Sequence, residues 1–201
     1  MPELSILVPH YNTPAATRAL NVALRRITEH TQRDYELMVT AHTEREFYAY
    51  NSMAARAEGD WLVLTCSDMF FAPGWDGWLD AELDPNCALL MTVVEPGMNA
   101  PVAEQAICGN FGTTPETFNR AGFEAFAASA PVAFETFGWG FPLIVERTRF
   151  LALGGFPPEY IHENVADLEF MRAWERAGYH QRRVPHYCYH LQQWTKTGAL
   201  R

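Results

Sequence analysis

Side chains able to do chemistry gather at a few places in this sequence. The turn Cys66-Ser67-Asp68 follows the apolar run Trp61–Thr65 and precedes Pro73-Gly74-Trp75. Asp68 offers a hard oxygen there, which can touch a divalent cation or simply close a turn. His190 ends the last strand-like run, and by spacing alone it reads as an edge histidine as readily as a ligand. His186 and Cys188 alternate with it and share one strand face. Asp167 and Glu169 stand where a helical pattern begins. A carboxylate in a first helical turn is held ionised by the helix dipole, so it can accept a proton, or it serves the dipole alone. Pro9-His10-Tyr11-Asn12 offers backbone donors, a ring for stacking and an amide. Trp139, in Trp139-Gly140-Phe141-Pro142, can offer a ring face for stacking or join a core.

These residues need elements to position them. Leu4–Val8 is a short apolar run that reads as a buried first strand. Thr13-Pro14 gives an N-cap with proline at the first helical position, and Ala16, Leu20, Ala23, Leu24 and Ile27 recur at helical spacing. Tyr35–Val39 is a second strand. Thr43-Glu44-Arg45-Glu46 is a capping box opening a helix to about Ala57, and Trp61–Thr65 is a third strand. The opening is thus β-α-β-α-β, the pattern of a parallel sheet covered by helices. Ligands on such sheets bind beyond the carboxyl ends of the strands, which directs attention to 9–13, 40–43 and 66–71. Further on, the pattern predicts a short helix at 75–83, a strand at 88–94, a long loop at 95–113 and a helix from Thr114 to about Ala128. It then predicts an extended segment at 141–145, a short helix at 147–153, a helix from Asp167 ended by Gly178 and a last strand at 183–190.

Composition narrows the function classes. The 201 residues suit one domain, and 48% hydrophobic with 13% aromatic content is enough for a core. No apolar run is long enough to span a membrane, and the start Met1-Pro2-Glu3 does not read as a signal peptide. The four cysteines lack CxxC spacing and read as free thiols in a reducing cytoplasm. The net charge of −9 argues against nucleic acid. Residues 172–201 are basic, with six Arg/Lys against Glu175, which suits either phosphate contact or a solvated face.

In four ordered blocks the chain resembles the family 2 inverting glycosyltransferases. Ser5–Asn12 is similar to the family's opening strand and nucleotide loop. Glu29-His30-Thr31 with Tyr35–Val39 is similar to its second strand and the approach to it. Ala57–Asp68 with Pro73-Gly74-Trp75 is similar to its metal-motif strand and exit. Gly154-Gly155-Phe156, Asp167–Phe170, Ala177-Gly178-Tyr179 and Val184-Pro185 with His190 are similar to its C-terminal half.

The resemblance implies an α/β GT-A fold with a mostly parallel central sheet, a single domain over 1–201, and transfer of a sugar from a nucleotide-diphosphate donor to a hydroxyl acceptor such as a carbohydrate. It implies Mn2+ or Mg2+ held by Asp68 and His190, with Asp167 as general base and Glu169 as its accompanying acid. Pro9, His10, Tyr11, Asn12, Thr40, His42, Ser67, Asp68 and Trp139 would line the donor site. The sequence departs from the family at three acids: Ala41 stands where an aspartate reads the base, Cys66 where the metal motif begins, and Ala166 before the base, with Glu163 close by. Those losses keep a second expectation open, a non-catalytic nucleotide-sugar-binding module or subunit. A nucleotidyltransferase is disfavoured, because no glycine-rich basic loop follows the first strand to hold a triphosphate.

Overall fold

The computed structural model describes residues 1–42, 46–97, 106–129, 140–157, 159 and 163–191. In chain order the elements are β1 (Leu4–Tyr11), α1 (Pro14–His30), β2 (Tyr35–His42), α2 (Glu46–Ala54), β3 (Trp61–Leu64), β4 (Met69–Phe71) and α3 (Leu79–Glu82). They continue as β5 (Cys87–Glu95), β6 (Ala106–Cys108), α4 (Arg120–Ser129), β7 (Leu143–Glu146), α5 (Arg147–Ala152), α6 (Glu163–Arg176) and β8 (His180–His190).

The strands form one sheet in the order β2-β1-β3-β7-β5-β8-β4, with β6 alongside β5. The pairings β1–β2, β1–β3, β5–β6 and β5–β8 are parallel. Those of β7 with β3 and β5, and of β4 with β8, are antiparallel. The sheet is therefore mixed: β4 and β7 run against the common direction of the others. The expectation of a mostly parallel sheet holds for strand direction, and the two reversed strands qualify it.

Burial on both faces explains the continuous apolar runs. Along β1, Leu4, Ile6 and Val8 face one core with Leu20 and Ile27 of α1, while Leu7 faces the other. That second core holds Phe47, Tyr50 and Met53 of α2, Phe150 of α5, and Phe170 and Trp174 of α6. A third cluster sets Ala19 and Ala23 of α1 against Phe70, Phe123, Tyr187 and Tyr189.

Local signals were realised at several ends. Thr13 caps α1, its hydroxyl accepting from the Ala16 amide at 3.2 Å, with Pro14 next. Gly178, in the left-handed region, follows the end of α6. The helix expected from Thr114 starts later, at Arg120. Thr114 and Thr117 instead bond each other's amides in a turn, and Asn119 caps α4 by accepting from the Gly122 amide at 3.0 Å. In the stretch expected to be helical over 75–83, only Leu79–Glu82 is an α-helix. Strands β4 and β6 were not foreseen. Each has three residues, too few for a periodic pattern to emerge. The capping-box residues 43–45 lie outside the described residues.

The chain between α5 and α6 is tied to α2 by one side chain. Asn51 donates to the Phe156 carbonyl at 2.6 Å and accepts from its amide at 2.9 Å. Gly155 leaves room for that clamp, because a Cβ there would lie 2.4 Å from the Asn51 oxygen, and its φ is +69°. Asn51→Ala removes both bonds and strands the Phe156 peptide groups. Thermal unfolding is expected to show a loss of about 2 kcal/mol, or roughly 4–8 °C in Tm for a domain of this size. Tyr48→Ala, at a 60% exposed position nearby, is expected to change Tm little.

Candidate active site

The carboxyl ends of β1, β2, β3, β5 and β8 lie on one edge of the sheet, because these strands share a direction. At that edge β1 and β2 end side by side, with Pro9 opposite Thr40 and Tyr11 opposite His42. The Tyr11 and His42 rings meet at 4.5 Å between centroids. The Asn12 amide donates to the His42 carbonyl at 3.3 Å, and the His10 Nδ1 lies 2.9 Å from the Tyr11 carbonyl. His42 is a neutral ring at ordinary pH, pushed down to about 4 by burial and by the neighbouring His10. Pro9, His10, Tyr11, Asn12, Thr40 and His42 thus form one contiguous lip. Ala41 falls within it, opposite His10, and brings no carboxylate.

Beyond β3 the chain turns sharply, the Met69 amide donating to the Cys66 carbonyl at 3.2 Å. Ser67 and Asp68 are buried in this turn. The chain then enters β4, which pairs antiparallel with β8 so that Met69 stands opposite His190. The Leu191 amide donates to the Asp68 carbonyl at 3.1 Å. This register brings together two residues far apart in sequence: His190 Nε2 lies 3.6 Å from Asp68 Oδ1. Its other ring nitrogen, Nδ1, lies 2.7 Å from Glu95 Oε1 at the end of β5. Burial opposes protonation of His190, and the carboxylates of Asp68 and Glu95 outweigh it, so its pKa is raised.

His186, on the same strand face, goes elsewhere. Its ring stacks on Trp78 at 4.2 Å, and burial lowers its pKa to about 4. The β5–β8 register shifts at this point, between the pairs Met91–Val184 and Thr92–Tyr187. That irregularity skips both Pro185, which has no N–H to give to a ladder, and His186 itself.

Below the turn, the Tyr50 hydroxyl donates to the Thr65 carbonyl at 2.7 Å, and its ring stacks on Phe141 at 5.0 Å. Cys66 Sγ lies 3.6 Å from that hydroxyl and donates to Glu46 Oε1 at 3.5 Å. Burial pushes the Cys66 thiol well up, and the carboxylates of Glu46 and Asp68 push it further. Cys66 is therefore a neutral thiol that cannot substitute for an acid. Glu46 and Glu95 are the residues that sequence reasoning missed. Both had a legible signal, a carboxylate at the start of a helix and another at the carboxyl end of an apolar strand. Among the described residues, no group of three or more His, Cys, Asp or Glu side chains forms a ready metal cage.

Asp167 is placed differently from expectation. Because α6 begins at Glu163, Asp167 sits a turn inside the helix rather than in its first turn. It lies on the stripe of Phe170, Met171 and Trp174, and is itself buried. Burial outweighs its hydrogen bond from the Leu168 amide at 2.8 Å and raises its pKa to about 6. The helix dipole is thus not what sets its ionisation. Glu169 pairs with Arg172 at 2.6 Å on the outer side of the helix. The side chain of Glu163 and all of Trp139 lie outside the described residues.

This architecture is the GT-A fold of nucleotide-sugar glycosyltransferases, an α/β unit with a curled mixed sheet flanked by helices. S. aureus TarS (residues 1–349), solved with UDP-GlcNAc, superposes with a TM-score of 0.63 at 15% identity, over 93% of this chain and 58% of that one. The catalytic domain of Drosophila β1,4-galactosyltransferase 7, in complex with xylobiose, gives 0.54 at 14%, over 91% and 65%. GalNAc-T7 with UDP, GalNAc and Mn2+ gives 0.57 at 14%, over 94% and 44%. The chain thus spans well under two thirds of the length of the TarS structure. No protein-family profile and no curated protein matches the sequence. Among the described residues, no helix is long and apolar enough to cross a membrane.

The buried Asp167 has a consequence for stability. Below pH 3.8 the carboxyl is protonated in both the folded and unfolded chain. As pH rises to about 6 the unfolded chain ionises first, so folding stability falls through that window and stays lowered above it. Asp167→Asn keeps the acceptor for the Leu168 amide without the charge. Unfolding measured from pH 4 to pH 8 is expected to show the variant more stable than wild type at pH 8, by up to about 3 kcal/mol, with the gap closing near pH 4.

Proposed function

We propose that this domain is an inverting glycosyltransferase of the family 2 kind, taking a sugar from a uridine-diphosphate donor bound at the carboxyl edge of the sheet. The observation that carries the proposal is the meeting of Asp68 and His190 at that edge, beside the lip formed by 9–12 and 40–42. The TarS, galactosyltransferase 7 and GalNAc-T7 likenesses support the nucleotide-sugar donor and a carbohydrate acceptor, since these structures hold UDP, UDP-GlcNAc, xylobiose or GalNAc. The free cysteines suit a reducing compartment such as the cytoplasm.

A carboxylate oxygen and an imidazole nitrogen 3.6 Å apart are a donor pair suited to Mn2+ and, less well, Mg2+. Asp68 and His190 would hold the ion, leaving its other positions to diphosphate oxygens and water. Bound there, it would neutralise the charge that grows on the diphosphate as the sugar–oxygen bond breaks. Tyr11 and His42 offer ring faces to the uracil, and Asn12 and Thr40 offer polar groups. With no acid at Ala41, base recognition rests on these groups.

Asp167 is the general base of this reading. With a pKa raised to about 6 it is largely ionised at neutral pH, yet basic enough to accept a proton from an acceptor hydroxyl. The freed oxygen attacks the anomeric carbon from the face opposite the diphosphate, a new carbon–oxygen bond forms, and the nucleoside diphosphate leaves with the old bond's electrons.

Cys66 favours a second reading, because a neutral thiol in place of the first acid weakens the donor site. On that reading the domain binds the nucleotide-sugar for a partner without turning it over. One set of measurements separates the two. UDP with Mn2+ is expected to raise Tm, and Asp68→Ala to abolish the shift. Asp167→Asn is expected to keep the shift but lose donor turnover at least a hundredfold. Turnover by the wild type should rise with pH through about 6 and then level. Full turnover by Asp167→Asn would remove the base assignment, and binding with no turnover would favour the second reading.

A further inference from the structure

We propose that Glu95 is a positioning residue for His190, fixing the ring's orientation and which of its nitrogens carries a proton. The role rests on the reading of His190 as a cation ligand.

Glu95 is the first acid along β5, whose residues Cys87–Val94 are all buried. It emerges at the carboxyl edge, one step past the pair Val94–Tyr189. Its backbone is held from the other side as well, because Glu95 is paired with Cys108 of β6 and its carbonyl accepts from the Gly109 amide at 2.8 Å. The carboxylate therefore leaves from a fixed backbone, and its Oε1 reaches His190 Nδ1 at 2.7 Å, within the range of a charge-assisted bond. An ionised carboxylate only accepts, so Nδ1 carries the proton. Nε2 is thereby left on the side of Asp68, 3.6 Å away. Without Glu95 the ring would be free to turn, and its proton would no longer be confined to Nδ1.

A carboxylate behind a histidine ligand commonly raises the ligand's basicity and holds its plane, and its loss weakens cation affinity by about 10–100-fold. A plain ion pair between Glu95 and a protonated His190 would add stability alone. The two roles separate in a double-mutant cycle. Mn2+ affinity would be measured at saturating UDP by the electron paramagnetic resonance of free Mn2+. The proteins are wild type, Glu95→Ala, Glu95→Gln, His190→Ala and the Glu95→Ala/His190→Ala pair.

The expected result is that His190→Ala weakens Mn2+, that Glu95→Ala weakens it by about 10–100-fold, and that Glu95→Ala costs nothing further once His190 is gone. Glu95→Gln keeps an oxygen able to accept from Nδ1 and is expected to lose less. UDP affinity without metal should not move in Glu95→Ala. Unchanged Mn2+ affinity in Glu95→Ala, with a clear loss in His190→Ala, would overturn the positioning role and leave the ligand reading standing. An equal loss from Glu95→Ala in both backgrounds would overturn it too, since the effect would then bypass His190. Unchanged affinity in His190→Ala would remove the ligand reading and the positioning role together.

Discussion

The candidate site depends on a three-residue ladder. The pairing of Met69–Phe71 with Cys188–His190 takes the chain leaving β3 and fastens it to the last strand. Only through that register does Asp68 lie beside His190. The ladder is anchored from behind by a buried arginine: Arg26 of α1 donates from Nε and Nη2 to the Phe71 carbonyl at 3.1 and 2.9 Å. Its other arm pairs with Glu124 of α4 at 2.5 Å. Burial works against the Arg26 charge and lowers its pKa, and these partners offset that cost. The first helix, the fourth helix and the short fourth strand are thus tied together around one guanidinium.

Charge at the edge follows from the same geometry. The strand that carries the expected metal motif has lost one acid, yet the neighbourhood remains acidic. Glu46 approaches Cys66 from α2, and Glu95 approaches His190 from β5. A site assembled from several strand ends can receive the same chemical group from a different element, because only the position of the oxygen matters to a cation. Asp167 shows the converse. Its residue type is as expected, but its depth on the helix makes burial, not the dipole, the cause of its basicity.

Much of the fold was legible because its signals are local or periodic. The Thr13-Pro14 cap, the buried runs of β1 and β3 and the Gly178 stop each act within a few residues. The strand ends that bear Asp68 and His190 followed from those runs, once the rule that ligands sit at carboxyl ends was applied. What escaped depends on partners remote in sequence. β4 and β6 exist because β8 and β5 offer them an edge, and nothing in three residues announces that. Glu95 was read as the start of a loop, since its meaning comes from His190 across the sheet. The split between His186 and His190 lies in a register shift that skips Pro185 and His186 and that alternation alone does not contain.

The most direct test is a crystal structure with UDP and Mn2+, with the metal located by its anomalous scattering. The account predicts one metal peak bonded to Asp68 and His190, in contact with the diphosphate, and the uracil against Tyr11 and His42. A nucleotide seated away from the carboxyl edge, or a metal held without Asp68 and His190, would contradict it.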